Sequence, residues 1–192
     1  MKLDFYRGRR VLVTGHTGFK GAWLCGLLGL LGAETAGYAL PPVEPSLYTV
    51  LGLERELRSV MGDIRDPDPL ERLFDAFRPE VVFHLAAQPI VREGYRDPTG
   101  TFDVNLMGTV RLLDCVRRHP GVRSVLVVTT DKVYRNGGTG RPFREEDPLG
   151  GADPYAGSKS CAELAVRSYA ESFFASGPAV SAARAGNVIG GG

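Results

Sequence analysis

The segment Val11-Leu12-Val13-Thr14-Gly15-His16-Thr17-Gly18-Phe19-Lys20-Gly21 decides the fold. It overlaps residues 10–14, which predict a strand buried on both faces, and residues 19–31, which predict a helix. Glycines spaced GxxGxxG join the two, and they let the backbone turn tightly and approach a pyrophosphate at the helix N-terminus. About half of such glycine patterns in isolation are structural turns. The position between a strand and a helix favours a dinucleotide site.

The same alternation continues along the chain. Further strands are predicted over 34–40, 57–61, 81–85, 124–129 and 179–185, and helices over 69–77, 101–118 and 154–174. Segments rich in proline or glycine, 41–45 and 131–151, are predicted loops. This pattern predicts an α/β fold, a doubly wound parallel sheet of the Rossmann type. We expect the strand order 3-2-1-4-5-6, with ligands at the carboxyl ends of the strands.

Composition restricts the function classes. A chain of 192 residues, 43% hydrophobic and 23% charged, is sufficient for one domain over 1–192. Its net charge of +1 gives no bias towards nucleic acid or an anionic membrane. No signal peptide is recognisable and the apolar stretch 22–33 is too short for a bilayer, so we expect a cytoplasmic protein. The three cysteines, Cys25, Cys115 and Cys161, lack metal-site spacing and are expected to be buried, with no metal.

The choice between NAD and NADP stays open. Residues 36–40, at the end of the second strand, contain no carboxylate for the ribose hydroxyls. Lys20 or His16 would attract a 2′-phosphate, but either is equally consistent with a surface residue. Asp63 and Ile64 follow the third strand, where Asp63 would accept a hydrogen bond from the adenine amine or would cap the next helix.

Tyr155 and Lys159 form a YxxxK pair, whose members share one helix face. A lysine ammonium favours the phenolate, and a phenol of lowered pKa removes a proton from an alcohol as hydride leaves its carbon. Spacing alone would equally suit an ordinary amphipathic helix. The pair follows the fifth strand and a long loop, and this favours the catalytic interpretation.

The fifth strand ends in Thr130, Asp131 and Lys132, where doubly wound sheets place their chemistry. Thr130 would donate a hydrogen bond to the reacting oxygen. Asp131 and Lys132 would act as acid and base, although an Asp-Lys turn in solvent is the alternative.

Together these motifs resemble the extended short-chain dehydrogenase/reductase family of nucleotide-sugar enzymes. The resemblance covers essentially the whole chain and also includes 84–88, Asn105 and 184–187. Within that family Asp131-Lys132 resembles the CDP-glucose 4,6-dehydratase type, since most sugar 4,6-dehydratases carry Asp-Glu there. The alternatives are another nucleotide-sugar dehydratase or an epimerase, or a non-catalytic dinucleotide-sensing domain.

The resemblance implies conversion of CDP-glucose to CDP-4-keto-6-deoxyglucose by internal hydride transfer through NAD, with NADP possible. Tyr155 would take the proton of the sugar 4-hydroxyl. Asp131 would protonate the leaving 6-hydroxyl, and Lys132 would remove the C5 proton. A lysine base must be neutral, which requires desolvation or a nearby positive charge.

The resemblance also implies the binding residues. Gln88 and Asn187 would contact the nucleotide-sugar substrate, and Asn105 would have a structural or water-relay role. The cofactor would contact Gly15, Thr17, Gly18, Phe19, Lys20, Gly21, Asp63, Ile64, Leu85, Ala86, Ala87, Tyr155 and Lys159.

Members of this family are substantially longer, and their C-terminal part supplies most of the substrate pocket. We therefore expect these residues to be the N-terminal part of a longer enzyme, with the substrate domain missing. Cofactor binding is expected to persist in the 192-residue chain, whereas turnover is not. The family commonly forms homodimers through two long helices, here 101–118 and 154–174.

Overall fold

A computed structural model describes residues 3–138 and 140–191. Six strands form one parallel sheet in the order β3-β2-β1-β4-β5-β6, which confirms the predicted topology. The strand bounds lie within two residues of the prediction: β1 Arg10–Thr14, β2 Glu34–Ala39, β3 Arg58–Met61, β4 Val81–His84, β5 Ser124–Val128 and β6 Ala179–Ala183.

Helices cover both faces of the sheet. They are α1 Phe19–Leu30, α2 Leu47–Val50, α3 Pro67–Phe77, α4 Val91–Arg96, α5 Pro98–Phe102, α6 Gly108–Arg118 and α7 Pro154–Phe173. The short helices α2 and α4 were not predicted, because four to six residues are too few to display a helical period. No helix in the described ranges is long and apolar enough to cross a membrane.

The helix predicted over 101–118 is confirmed, but a π-helical turn interrupts its α-helical hydrogen bonding. A π-helical turn, Asp103–Met107, separates α5 from α6. It turns the buried Asn105 inward, where its amide oxygen accepts from the Gln88 backbone nitrogen at 2.8 Å. The amide nitrogen donates to the Gln88 carbonyl at 3.1 Å and to Ser158 Oγ at 2.9 Å. Asn105 therefore ties the loop after β4 to α7, which supports its structural role.

Strand β1 is buried on both faces, as its unbroken Val and Leu run predicts, whereas most residues of the edge strand β6 are exposed. Leu12 packs with Phe74 and Leu112 on one face, while Val11 and Val13 pack with residues of α1 and α2 on the other. Each fully buried side chain of this kind contributes about 1.5–3 kcal/mol. Cys25 and Cys115 are buried as expected, whereas Cys161 is half-buried.

A column of buried polar groups crosses the sheet at the carboxyl ends of β1 and β4. Thr14 Oγ1 accepts from the backbone nitrogens of Leu85 and Ala86, so its own proton goes to His84 Nδ1 at 2.7 Å. His84 Nε2 in turn donates to Thr109 Oγ1 at 3.1 Å. Burial lowers the pKa of His84 to about 3, so the ring is neutral and its tautomer is fixed.

The backbone of the glycine loop, residues 15–18, packs directly against the backbone of α1 at Gly21. Gly15 has φ +75°, which favours glycine, and a Cβ at Gly21 would lie 2.0 Å from the Gly15 carbonyl oxygen. Only a residue without a side chain allows this approach at position 21.

We predict opposite effects for two alanine substitutions in α1. Gly21→Ala should destabilise the chain by at least about 1–3 kcal/mol, because the backbone of the loop must move. Gly29→Ala meets nothing within 4 Å and should stabilise it by about 0.5–1 kcal/mol. Urea unfolding of both variants measures the difference, and equal effects would contradict this packing.

Candidate active site

A cleft of about 340 Å³ opens at the carboxyl ends of the strands, where the fold predicts the ligand. The glycine loop and α1 form one side, the ends of β2 and β3 form another, and the loop after β4 and α7 close it. All residues predicted to contact the cofactor line this cleft: Gly15, Thr17, Gly18, Phe19, Lys20, Gly21, Asp63, Ile64, Leu85, Ala86, Ala87, Tyr155 and Lys159.

The N-terminus of α1 fits a pyrophosphate. Gly18 occupies the cap position in an extended conformation, and no side chain caps the helix. The first-turn amides and the helix dipole therefore face the cleft without competition from a capping side chain. The arrangement suits the diphosphate of a dinucleotide, and Thr17 anchors the loop by donating to the Leu40 carbonyl at 2.9 Å.

Asp63 lies at the edge of the cleft beside Arg65, a lining residue that the sequence did not reveal. The Arg65 guanidinium donates to both Asp63 oxygens, at 3.0 and 2.6 Å, and these hydrogen bonds lower the pKa of Asp63. The cap of α3 is Asp66, whose side chain accepts from the Asp68 nitrogen at 3.1 Å. The capping alternative for Asp63 is therefore wrong, and its adenine contact stays a prediction.

His16 does not face a 2′-phosphate. Its ring is fully buried, and Nε2 lies 2.7 Å from Ser59 Oγ on β3. Burial lowers its pKa to about 4, so the ring is uncharged near neutral pH. The interpretation that it attracts a phosphate is wrong, whereas Lys20 is exposed and lines the cleft.

Tyr155 and Lys159 both line the cleft from the first turns of α7, which Asp153 caps by accepting from the Ala156 nitrogen at 3.0 Å. Lys159 is buried, and its Nζ donates to the Val128 carbonyl at 3.2 Å. Burial first, and then the charge of Lys20, lower the pKa of Lys159 to about 8.

The pKa of the Tyr155 phenol lies above its ordinary value in this structure. Burial raises its pKa, the charges of Asp131 and Asp153 raise it further, and a hydrogen bond with Thr130 opposes them. The Lys159 ammonium donates to the Val128 carbonyl in this structure, and its effect on the phenol stays a prediction. The Thr130 hydroxyl donates to Asp131 Oδ1, so its hydrogen bond to the reacting oxygen stays a prediction.

Asp131 and Lys132 lie in a 3₁₀ turn, Asp131–Val133, just outside the lining of the cleft. Thr130 caps this turn by accepting from the Lys132 nitrogen at 3.3 Å and donates to Asp131 Oδ1 at 3.1 Å. Both Asp131 and Lys132 are exposed. The desolvation expected around a neutral lysine base is therefore not supplied by the described residues.

Gln88 and Asn187 do not line the cleft. Gln88 uses both ends of its amide internally: Nε2 donates to Thr101 Oγ1 at 2.9 Å, and Oε1 accepts from the Ile90 nitrogen at 2.6 Å. Asn187 is exposed beyond β6. Their contacts to a substrate stay predictions.

Within residues 3–138 and 140–191, one mixed group of metal-ligating side chains has donor atoms within 4.8 Å of one another: Glu71, Cys115 and His119. Each is already engaged. Arg118 donates to both Glu71 oxygens, His119 Nδ1 donates to the Cys115 carbonyl at 2.7 Å, and burial raises the pKa of the Cys115 thiol. The group is a polar contact between α3 and α6 rather than a prepared metal site.

We predict that Lys159→Met stabilises the fold near neutral pH. The folded-state pKa of about 8 lies below the ordinary 10.5, so the folded chain binds fewer protons and its stability rises with pH between those values. Removing the buried ammonium should add up to about 3 kcal/mol near pH 7, a gain that shrinks by about pH 10. Urea unfolding at both pH values measures this, with the exposed Lys132→Met as control. A gain independent of pH would contradict the burial argument.

Comparison with known proteins agrees with this geometry. A family model described as GDP-mannose 4,6 dehydratase matches residues 12–182. The CDP-glucose 4,6-dehydratase of Salmonella typhimurium is 46% identical over 98% of this chain and 55% of its own length. The UDP-glucose 4-epimerase of Mycolicibacterium smegmatis is 34% identical over 83% of this chain and 51% of its own length.

Solved structures give the same result. The Thermus thermophilus UDP-glucose 4-epimerase, in complex with NAD, superposes with a TM-score of 0.76 at 32% identity, covering 86% of this chain and 52% of that one. The chain thus spans about half the length of these relatives. With the family model matched over most of the sheet and the cleft, the chain belongs to the GDP-mannose 4,6-dehydratase family, within the extended short-chain dehydrogenases/reductases that its motifs resemble.

Proposed function

We propose that this chain provides the cofactor site and the catalytic residues of a nucleotide-sugar 4,6-dehydratase that converts CDP-glucose to CDP-4-keto-6-deoxyglucose. The observation that carries the proposal is the 46% identity to a CDP-glucose 4,6-dehydratase over 98% of the chain. Similarity to the epimerase from Mycolicibacterium smegmatis is lower, at 34%. Asp131-Lys132 beside the tyrosine supports the same choice, because water loss needs an acid and a base that epimerisation does not.

Tyr155 would begin the reaction by accepting the proton of the sugar 4-hydroxyl. Its raised pKa must first fall. Thr130 would help if its hydroxyl proton turned from Asp131 Oδ1 towards the phenol oxygen. Lys159 can contribute once its ammonium turns from the Val128 carbonyl towards the cleft that it lines. A dinucleotide-sensing domain would have no use for Thr130, Tyr155 and Lys159 together.

The cofactor proposed for the cleft is NAD, with NADP possible. When bound, it accepts a hydride from the sugar C4 and returns one to C6. The uncapped N-terminus of α1 would hold its diphosphate, and Lys159 would hold the ribose next to the reacting ring. NAD in the Thermus thermophilus relative supports this choice.

Elimination of water would use the 3₁₀ turn after β5. Asp131 would protonate the leaving 6-hydroxyl, and Thr130, which donates to Asp131 Oδ1, would orient that carboxyl group. Lys132 would remove the C5 proton after the substrate covers its exposed side chain. This covering would supply the desolvation that a neutral lysine needs.

A homodimer and a cytoplasmic location are also proposed. Leu164 and Phe173 on α7 and Met107 before α6 are large apolar side chains that are 40–57% exposed. Burying such residues in a subunit interface would remove them from water. Sedimentation of the protein checks the oligomeric state.

We predict that the protein encoded by the complete gene forms a 4-keto product from CDP-glucose in preference to GDP-, UDP- and dTDP-sugars. Tyr155→Phe should lower kcat by about 10²–10⁴-fold, because the proton acceptor is lost. Tyr95→Phe removes an exposed hydroxyl and serves as the control. Product formation on this panel is the measurement, and full activity of Tyr155→Phe would contradict the proposed role.

We further predict that Lys132→Ala blocks elimination while the 4-hydroxyl is still oxidised. Formation of the reduced nicotinamide in a single turnover, followed by its near-ultraviolet absorbance alongside product formation, separates the two steps. Undiminished water loss by this variant would remove Lys132 from the mechanism.

A further inference from the structure

Arg184, the residue after β6, forms an ion pair with the buried Glu163 that the mechanism above does not use. Its Nε donates to both Glu163 oxygens at 3.0 and 2.9 Å, and Nη2 donates to Oε2 at 2.6 Å. Glu163 is 6% exposed and also accepts from Thr129 Oγ1. The carboxylate is thus neutralised and hydrogen-bonded, which is what burial of a charge requires.

The other side of the guanidinium holds the segment 131–151. Nη1 donates to the Glu145 carbonyl at 2.8 Å, and Cζ lies 4.6 Å from the centre of the Tyr134 ring. Tyr134 itself stacks on Phe143, with ring centres 4.5 Å apart and planes at 4°. The planar guanidinium of Arg184 therefore contacts this segment at two separate residues, Tyr134 and Glu145.

The backbone beside Arg184 reaches Asp131 directly. The Asp131 nitrogen donates to the Ala185 carbonyl at 3.0 Å, and Gly186 lies next to the Asp131 carboxylate. On α7, Glu163 follows Lys159 by four residues, as Lys159 follows Tyr155, so the three share one helix face. The Arg184–Glu163 pair therefore joins the helix of the phenol to the turn that carries Asp131 and Lys132.

We propose that Arg184 is a positioning residue that holds the segment 131–151, and with it Asp131 and Lys132, at a fixed place relative to Tyr155 and Lys159. The claim that Arg184 anchors the segment is independent of the proposed dehydratase function, whereas its expected effect on the reaction rate rests on that function. Loosening the segment should slow elimination more than proton removal from the 4-hydroxyl, because Tyr155 and Lys159 stand on α7 itself.

Two variants loosen the segment without leaving Glu163 unpaired. Arg184→Lys keeps a positive charge beside the carboxylate but lacks the planar fork and the stacking face. Tyr134→Leu removes the ring and leaves the ion pair intact. Arg167→Lys is the matched control, since Arg167 pairs with Glu171 at 2.8 Å on the exposed side of the same helix.

Limited trypsin digestion of the folded 192-residue chain tests the anchoring without cofactor or substrate. Cleavage after the exposed Arg135 and Arg144 should become several-fold faster in Arg184→Lys and Tyr134→Leu. It should stay at the wild-type rate in Arg167→Lys. Unchanged cleavage at other arginines distinguishes local release from global unfolding. Wild-type cleavage rates after Arg135 and Arg144 in both variants would overturn the proposal.

Deuterium isotope effects test the kinetic consequence in the protein from the complete gene. With CDP-glucose labelled at C4 or at C5, both variants should lower kcat by about 10–100-fold and raise the C5 effect relative to the C4 effect. A merely smaller folded fraction would lower kcat and leave both effects unchanged, which would overturn the proposal. If the wild-type protein dehydrates no nucleotide sugar, the proposed function fails, and the trypsin result still decides whether Arg184 anchors the segment.

Discussion

The carbonyl oxygen of Gly15 occupies the space that any side chain at position 21 would need, and the cofactor cleft depends on this contact. It places the N-terminus of α1 directly beneath the turn that follows β1. The first-turn amides then face the space between β1 and β4, where the strand order reverses. If α1 were displaced, the positive N-terminal end of its helix dipole would no longer face the space between β1 and β4.

A second constraint fixes the opposite wall of the cleft. In the column from Thr14 through His84 to Thr109, the buried ring is neutral. It therefore accepts a hydrogen bond from Thr14 at Nδ1 and donates one to Thr109 from Nε2. Asn105 continues the column to the Gln88 backbone and to Ser158, three residues after Tyr155. Loop 85–88 is thereby held at the cleft, and its distance from α7 is set by polar contacts rather than by apolar packing.

The candidate catalytic residues lie in two different electrostatic environments, the cleft and the 3₁₀ turn after β5. Tyr155 and Lys159 lie in the cleft, where burial disfavours both the phenolate and the ammonium. Asp131 and Lys132 lie on an exposed turn beside it. Two pairs of groups with such different surroundings suit a reaction that first moves the proton of an alcohol and then loses water.

The sequence was sufficient for the sheet order and for the predicted cofactor contacts, which all line the cleft, because glycine spacing and strand ends carry that information locally. Gln88 and Asn187 do not line the cleft, and the sequence did not reveal Arg65 there. It could not reveal the π-helical turn, since Asn105 is turned inward by contacts with Gln88 and Ser158, distant along the chain. The same limit applies to His16, whose burial against Ser59 depends on the third strand. The pairing of Arg184 with Glu163 likewise follows from tertiary structure alone.

The central claim is that the cleft beneath the Gly15 turn holds a dinucleotide with its reactive ring beside Tyr155. The most direct measurement is a crystal structure of the 192-residue chain grown with NAD. We predict a diphosphate on the first-turn amides of α1 and the Lys159 ammonium turned from Val128 towards the ribose. A cofactor bound elsewhere, or a cleft that stays closed to saturating NAD, would contradict the account.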